Sequence, residues 1–539
     1  MRVRKTAVWL LCIAFVLTAL TACGGKGPSN GDKTIEYGLS AEPKTLDPQI
    51  ASDPPSLTAI QGLFEGLARL DADGNAYPGA AERWRANPDQ TEFTFSLRAD
   101  AKWSDKTPVT AGDFVYAFRR ALSPQTASPT CSRMFCLKNA RQVNAGSLSP
   151  DRLGVEAKDA HTLVVRLEYP YPDFPALTAV AVFMPCNQAF FEKTAGRYGL
   201  EPECVLGNGP FQIDGKYGWA HDQYLNLRRS ATYSGERKPL PSNVDLNIDG
   251  GGKVDLSDPI AALQSGTVDA ASVPAQKTEA AAAAGCTIVS FQNTTWGLCF
   301  NASSPLMKNA DVRRAFVQAF DRSRVLSHLP ANTSKAENIL LPGTTFVGEN
   351  YRKLAGGPFY LPHDANAAQT LAKGLGELGR SEMDSVSVLC PDDLNVKLML
   401  NEMIIAWNSQ FHNYFNLESL PEGNLLSRVK SGDYQVAFYP LRPESDGPLS
   451  ALSPFRSGAA GNPAHLSDAG YDAILNRAES GDGKAAAADY AEAEKYLNRQ
   501  AVFYPLYYEK QSYAMAKGVT GIVFHPYQGG VDFIGAGKE

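Results

Sequence analysis

The sequence predicts a mixed α/β protein built from at least two domains. Segments that alternate apolar and polar residues, the period of a half-buried strand, are interspersed along the whole chain with segments of helical period. The chain has 539 residues, far beyond the roughly 250–300 at which a single core stops growing. After residue 23 no apolar run is long enough to span a bilayer, for which roughly 18–20 such residues are needed.

The first element is a leader. Arg2, Arg4 and Lys5 precede an apolar run of about 14 residues, Ala7 to Leu20, the length of a secretory h-region and too short for a membrane span. Small residues then lead straight into a cysteine, Leu20-Thr21-Ala22-Cys23, which resembles the lipobox of bacterial lipoproteins. That resemblance implies cleavage before Cys23 and a diacylglycerol on its thiol, placing the mature chain outside the cytoplasm on a lipid tether. One acyl chain binds a membrane only marginally, so a dual-chain anchor makes physical sense. Residues 1–22 are therefore expected to be a signal peptide. Residues 23–33, rich in Gly, Ser, Asn and Lys, are expected to be a flexible spacer.

Regular structure is expected to begin with the alternating strand Thr34 to Leu39. Glu92 to Arg98 is another, with Phe93, Phe95 and Leu97 on one face, and Thr162 to Leu167 continues the β-rich character. Thr110 is placed as the N-cap of a helix that carries Phe114, Val115, Ala117 and Phe118. Asp311 to Leu326 has Val312, Ala315, Phe316, Ala319 and Phe320 at helical spacing, and Asp489 to Asn498 has Tyr490, Ala493 and Leu497 on one side. Ala280 to Ala284 reads as a short piece of helix.

Removing Arg2, Arg4 and Lys5 with the leader leaves 48 basic against 57 acidic residues, moving the formal balance from −6 to −9. An acidic surface argues against nucleic-acid partners and against electrostatic binding to anionic lipid, so the tether must hold the protein at the membrane. Cys12 leaves with the leader and Cys23 carries the lipid. An extracytoplasmic address permits disulfides, and the spacing suggests the bridges Cys131–Cys136 and Cys186–Cys204, with Cys286–Cys299 as a third. Cys390 is then odd and reads as a buried thiol.

The constellations of catalysis are missing. There is no G-x-S-x-G elbow and no H-E-x-x-H, and Gly250-Gly251-Gly252-Lys253 lacks the spacing of a phosphate-binding loop. The seven histidines (His161, His221, His328, His363, His412, His465 and His525) are scattered singly. Glu492 and Glu494 read as a solvated helix face. No catalytic residue, metal site or cofactor is expected.

Several segments together carry a resemblance that none carries alone. They are Glu42 to Pro48, Leu63-Phe64-Glu65-Gly66-Leu67, Ala101 to Asp105, Pro108 to Ala111 with Asp113 to Tyr116, Gly207-Asn208-Gly209-Pro210-Phe211, Ser265 to Asp269, and Val312 to Phe316 with Asp321-Arg322. In order and rough spacing the chain resembles the oligopeptide-binding lipoproteins of bacterial ABC importers, from about residue 34 to its C-terminus. The resemblance implies a two-lobed periplasmic-binding-protein-like fold (type II) with a small domain inserted in the first lobe. Carried over, lobe one is 34–76, 207–293 and 506–539, the insert 77–206, and lobe two 294–505. It also implies a non-catalytic receptor acting as a monomer, which closes on a peptide or peptide-like solute and delivers it to a permease and its ATPase, on the periplasmic face if the cell has an outer membrane.

In this family an acidic residue four positions before a proline pairs with the peptide's amino terminus. Pro448 puts Glu444 at that position, with Asp446 as the rival. The ligand-facing set implied is Tyr439, Leu441, Arg442, Glu444 and Asp446 in lobe two, Asp53 and Ser56 on the facing segment of lobe one, and Trp296 at a lobe junction. The chain departs from the family at Pro440 and Pro443, which remove two N–H donors, and at Pro54 and Pro55, which remove two more. Arg442 offers a fork for a carboxylate or phosphate, or else a salt bridge to Glu444. The cargo therefore stays open: an oligopeptide first, then a modified peptide, cell-wall fragment, opine-like compound or metal chelate. A sensory or adhesion lipoprotein and a surface hydrolase are the readings from other classes.

Overall fold

The computed structural model describes residues 34–331, 333–412, 415–443, 445–459, 461–481, 483–527 and 530–539. The leader, Cys23, the spacer and Glu444 lie outside them. Among the described residues no helix is long and apolar enough to cross a membrane.

One twelve-stranded sheet runs through the molecule. In chain order its main strands are β1 (Thr34–Leu39), β2 (Phe211–Ile213), β3 (Tyr224–Arg229), β4 (Asn243–Ile248), β5 (Ala270–Val273), β6 (Thr287–Phe300), β7 (Val386–Pro391), β8 (Phe415–Leu420), β9 (Val436–Leu441) and β10 (Phe503–Met515). Their order in space is β8-β7-β9-β6-β10-β5-β1-β4-β3-β2. One half holds β5, β1, β4, β3 and β2, and the other holds β8, β7 and β9. The long antiparallel pair β6 and β10 belongs to both.

Near residues 287–290 β6 pairs with Ser512–Met515, which also pair with β5; from Thr295 onward it pairs with β9. The register with β10 slips twice near this change of partner, at Gln292/Thr294 and at Trp296/Gly297. Bulges bend a strand and increase its local twist, so they fall where the sheet passes from lobe to lobe. Gly297 permits the close approach, because a Cβ there would lie 2.4 Å from the Tyr504 carbonyl oxygen.

The helices that bear on function are α1 (Pro54–Leu63), α2 (Ala111–Leu122), α3 (Ala140–Asn144), α4 (Ala310–Gln318), α5 (Leu394–Phe411), α6 (Glu422–Ser431), α7 (Ala469–Ser480) and α8 (Gly483–Arg499). Thr110 caps α2 in a reciprocal box with Asp113, which satisfies backbone donors that a helix start leaves orphaned. The helix expected over 311–326 is broken. After α4, Asp321 accepts from the Ser323 amide at 2.8 Å and starts a new turn, Arg322–Val325. A separate four-stranded sheet, Ala81–Ala86, Glu92–Leu97, Thr162–Arg166 and Val155–Asp159, packs Phe93 and Phe95 into the same core as Ile35 and Leu246. The second lobe has its own core around Phe316, Trp407 and Phe438.

Two expectations are corrected here. Cys136, Cys186, Cys204, Cys286 and Cys299 are unbridged thiols, so the pairs Cys131–Cys136, Cys186–Cys204 and Cys286–Cys299 do not form. Their surroundings suit thiols: Cys186 is engaged by the Tyr198 hydroxyl, and Cys299 lies 3.6 Å from the hydroxyl of Tyr434. Glu494 is not on a solvated face. It is wholly buried, 2.5 Å from Arg352, and accepts from the Leu340 amide at 3.0 Å. A buried carboxylate requires such partners. Glu492 does lie at the surface, paired with Arg499.

Candidate functional site

In the second lobe β7 runs parallel to both β8 and β9, and in the first β1 runs parallel to β4 and β5. Leu441 at the end of β9 pairs with Thr295, and Val273 at the end of β5 pairs with Ser512. Both lobes thus aim the carboxyl ends of parallel strands at the β6–β10 crossing, where open α/β sheets place their ligands. The cleft between the lobes is the candidate site.

The residues expected there have different fates. Glu444 lies outside the described residues. Leu441 is 4% exposed and packs with Phe503 in a core cluster. Trp296 is also 4% exposed, stacked 5.2 Å from Phe438, with its indole N–H donating to Glu509 at 2.7 Å. Asp53 caps α1, its carboxylate accepting from the amide and hydroxyl of Ser56, which is fully buried. Arg442 reaches Glu422 at the start of α6, at 2.7 Å, and lies over the Trp296 ring at 6.0 Å. Glu422 is a partner that the sequence reading did not suggest for Arg442. Two further candidates are not fully buried. Tyr439 is half-buried, with its hydroxyl pushed up to about 12 by desolvation. Asp446 is exposed.

Asp446 is held in place by one residue. Its carbonyl accepts from the Thr345 amide at 2.9 Å, and its carboxylate accepts from the Thr345 hydroxyl. From there its charge is felt across the cleft. Burial first, and then the Asp446 carboxylate, raise Asp173 above the usual carboxylate value. Desolvation and the same carboxylate also raise Tyr171 and Tyr527. The Asp446 and Asp173 carboxylates thus interact as like charges in the neighbourhood of tyrosines, a repulsion that a cation near both would relieve. Sequence reasoning passed over Asp173 and Tyr171. Their signal is the run Tyr169-Pro170-Tyr171-Pro172-Asp173, a stiff aromatic segment just after a strand.

The lobes also touch directly. Arg141 on α3 lies 3.3 Å from Glu479 on α7, and Gly343 approaches the Tyr527 hydroxyl. These contacts join the facing walls of the two lobes.

Comparison with known proteins agrees with this architecture. The chain is 27% identical to the dipeptide-binding protein DppE of Bacillus subtilis over 504 residues, covering 93% of this chain and 91% of that one. It is 26% identical to the oligopeptide-binding protein OppA of Bacillus subtilis over 547 residues, covering 96% and 97%. Among solved structures, Listeria monocytogenes OppA bound to peptide superposes with a TM-score of 0.77 at 25% identity, covering 94% of this chain and 99% of that one. The two-lobed type II architecture is thus the fold of this chain. The family model for bacterial extracellular solute-binding proteins, family 5 (middle part), matches residues 75–463. With a match that spans both lobes and the cleft they enclose, the chain belongs to the bacterial extracellular solute-binding proteins of family 5.

Proposed function

We propose that the protein is a non-catalytic receptor that closes its two lobes on a peptide and presents it to the permease of an ABC importer. Relatives named as dipeptide- and oligopeptide-binding proteins support the cargo class. A solved relative described as the substrate-binding domain of an oligopeptide ABC transporter supports the partner. The observation that carries the reading is Asp446, held by Thr345, whose charge raises Asp173 of the other lobe. An ammonium group between them neutralises a repulsion that closure otherwise imposes, so binding and closing favour each other. A peptide's amino terminus is such a group. Glu444, two residues away, is proposed as a further carboxylate of the same loop.

The reading extends to the leader. Cleavage before Cys23 and lipidation of its thiol would hold a monomeric receptor beside its permease on the outer face of the membrane. Mass spectrometry of the mature amino terminus tests this by the diacylglycerol mass on Cys23. For the cleft, calorimetry with trialanine and its N-acetylated form tests the anchor. Asp446→Asn is expected to weaken trialanine by about twofold to fivefold, the cost of losing one exposed charge pair, and to leave the acetylated form unchanged. Equal loss for both peptides would sink the assignment.

A further inference from the structure

We infer that Arg141 and Glu479 form a latch that biases the cleft toward closure before any solute is bound. The lobes are joined covalently through β6 and β10, both irregular at the crossing, so the open–closed balance rests on what the facing walls offer each other. On these walls the ion pair links residues 338 positions apart in the chain. Both partners are arranged in advance. The Arg141 guanidinium sits over the Phe135 ring at 4.7 Å, within its own lobe. Glu479 is 11% exposed in the last turn of α7, and its second oxygen lies 2.9 Å from Arg456. Arg456 is in turn fixed by Asn476, 2.5 Å away on the same helix.

The division of Glu479 between two arginines makes the contact reversible. Its Oε1 meets Arg141 across the cleft, while its Oε2 pairs with Arg456 within the same lobe, a contact that opening would leave intact. Opening therefore never strands an unpaired buried carboxylate, which would cost several kcal/mol and weld the lobes together. It exchanges one partner for water. Closing gains a charge-assisted contact between side chains that have already lost much of their rotamer freedom. The desolvated groups around Glu479 come from both walls, Cys136 and Tyr169 on one side and Tyr490 on the other, and its charge raises all three. The latch does not depend on the identity of the solute. A solute finds a partly populated closed state, which reduces the conformational cost of binding.

Small-angle X-ray scattering of the solute-free protein tests this. At low salt, Arg141→Gln is expected to lower the closed-to-open ratio by about threefold to tenfold, the effect of losing one partly buried cross-wall charge. The radius of gyration rises accordingly. Arg141→Lys, which keeps the charge, should stay close to wild type, and Arg141→Glu should open the molecule furthest. Salt at about 1 M should move wild type toward the Arg141→Gln profile. Arg141 is 41% exposed, so its variants fold. Identical profiles for wild type and Arg141→Gln would overturn the latch, as would Arg141→Lys behaving like Arg141→Gln.

Discussion

In the framework of the first lobe, Glu65, Arg69, Asn208, Tyr233 and Asp532 close on one another. Asn208 accepts from the Glu65 amide and donates to its carbonyl, both at 3.0 Å. Arg69 lies 2.8 Å from Asp532, and the Tyr233 hydroxyl donates to Glu65. At the cleft wall, Asp446 is held by Thr345 while its charge acts on a second carboxylate, Asp173. The framework uses its charges to satisfy its own buried groups, whereas the cleft leaves a like-charge pair for something else to satisfy. The difference teaches where recognition and identity reside. The motifs that mark the family, Leu63 to Leu67 and Gly207 to Phe211, are framework. The residues proposed to meet a solute lie outside every one of them.

Variants that break this contrast should differ in kind as well as size. The largest effect belongs to the framework of the second lobe: Arg352→Ala leaves Glu494 buried and unpaired, and should cost about 3–5 kcal/mol in urea unfolding. At temperatures where it remains folded, solute affinity should persist. Asp446→Asn should do the opposite, losing affinity for free-amine peptides with stability unchanged within about 0.5 kcal/mol.

A pH titration sharpens the comparison further. Asp173 is raised in the solute-free form, and a bound ammonium favours its ionised state. Affinity is therefore full above the raised Asp173 value and falls as the pH drops through it. This window begins above the ordinary aspartate range. The same raised value means that ionising Asp173 destabilises the folded form as pH rises through it, so Asp173→Asn should gain a little stability at neutral pH, within about 1 kcal/mol, while losing affinity. The smallest effect is expected at Arg442. Its pair with Glu422 is exposed on both sides, so Arg442→Ala should change stability by about 0.2–1 kcal/mol and leave peptide affinity unmoved.

Local pattern made much of this fold legible. The strand Thr34–Leu39, the buried face of Phe93, Phe95 and Leu97, and the Thr110 cap all depend on neighbours within a few residues, and all are present. The family motifs made the two-lobed architecture legible as well. What stayed hidden depends on contacts far apart in sequence. Glu494 looks like one more helix carboxylate until Arg352, 142 residues earlier, is packed against it. Asp53 and Ser56 looked like a binding edge, but the prolines that remove backbone donors there also start α1, and the side chains are consumed in capping it. Asp173 ends the run Tyr169 to Asp173, but what gives it meaning is Asp446, far away in the sequence.

The unbridged thiols have a practical consequence. Burial pushes Cys136, Cys186 and Cys299 up to about 12 and Cys390 to about 11, so at neutral pH almost none of these sulfurs is the thiolate that attacks disulfides or oxidants. Folding of the described part of the chain should therefore be insensitive to redox conditions. Its melting temperature should be the same with and without dithiothreitol.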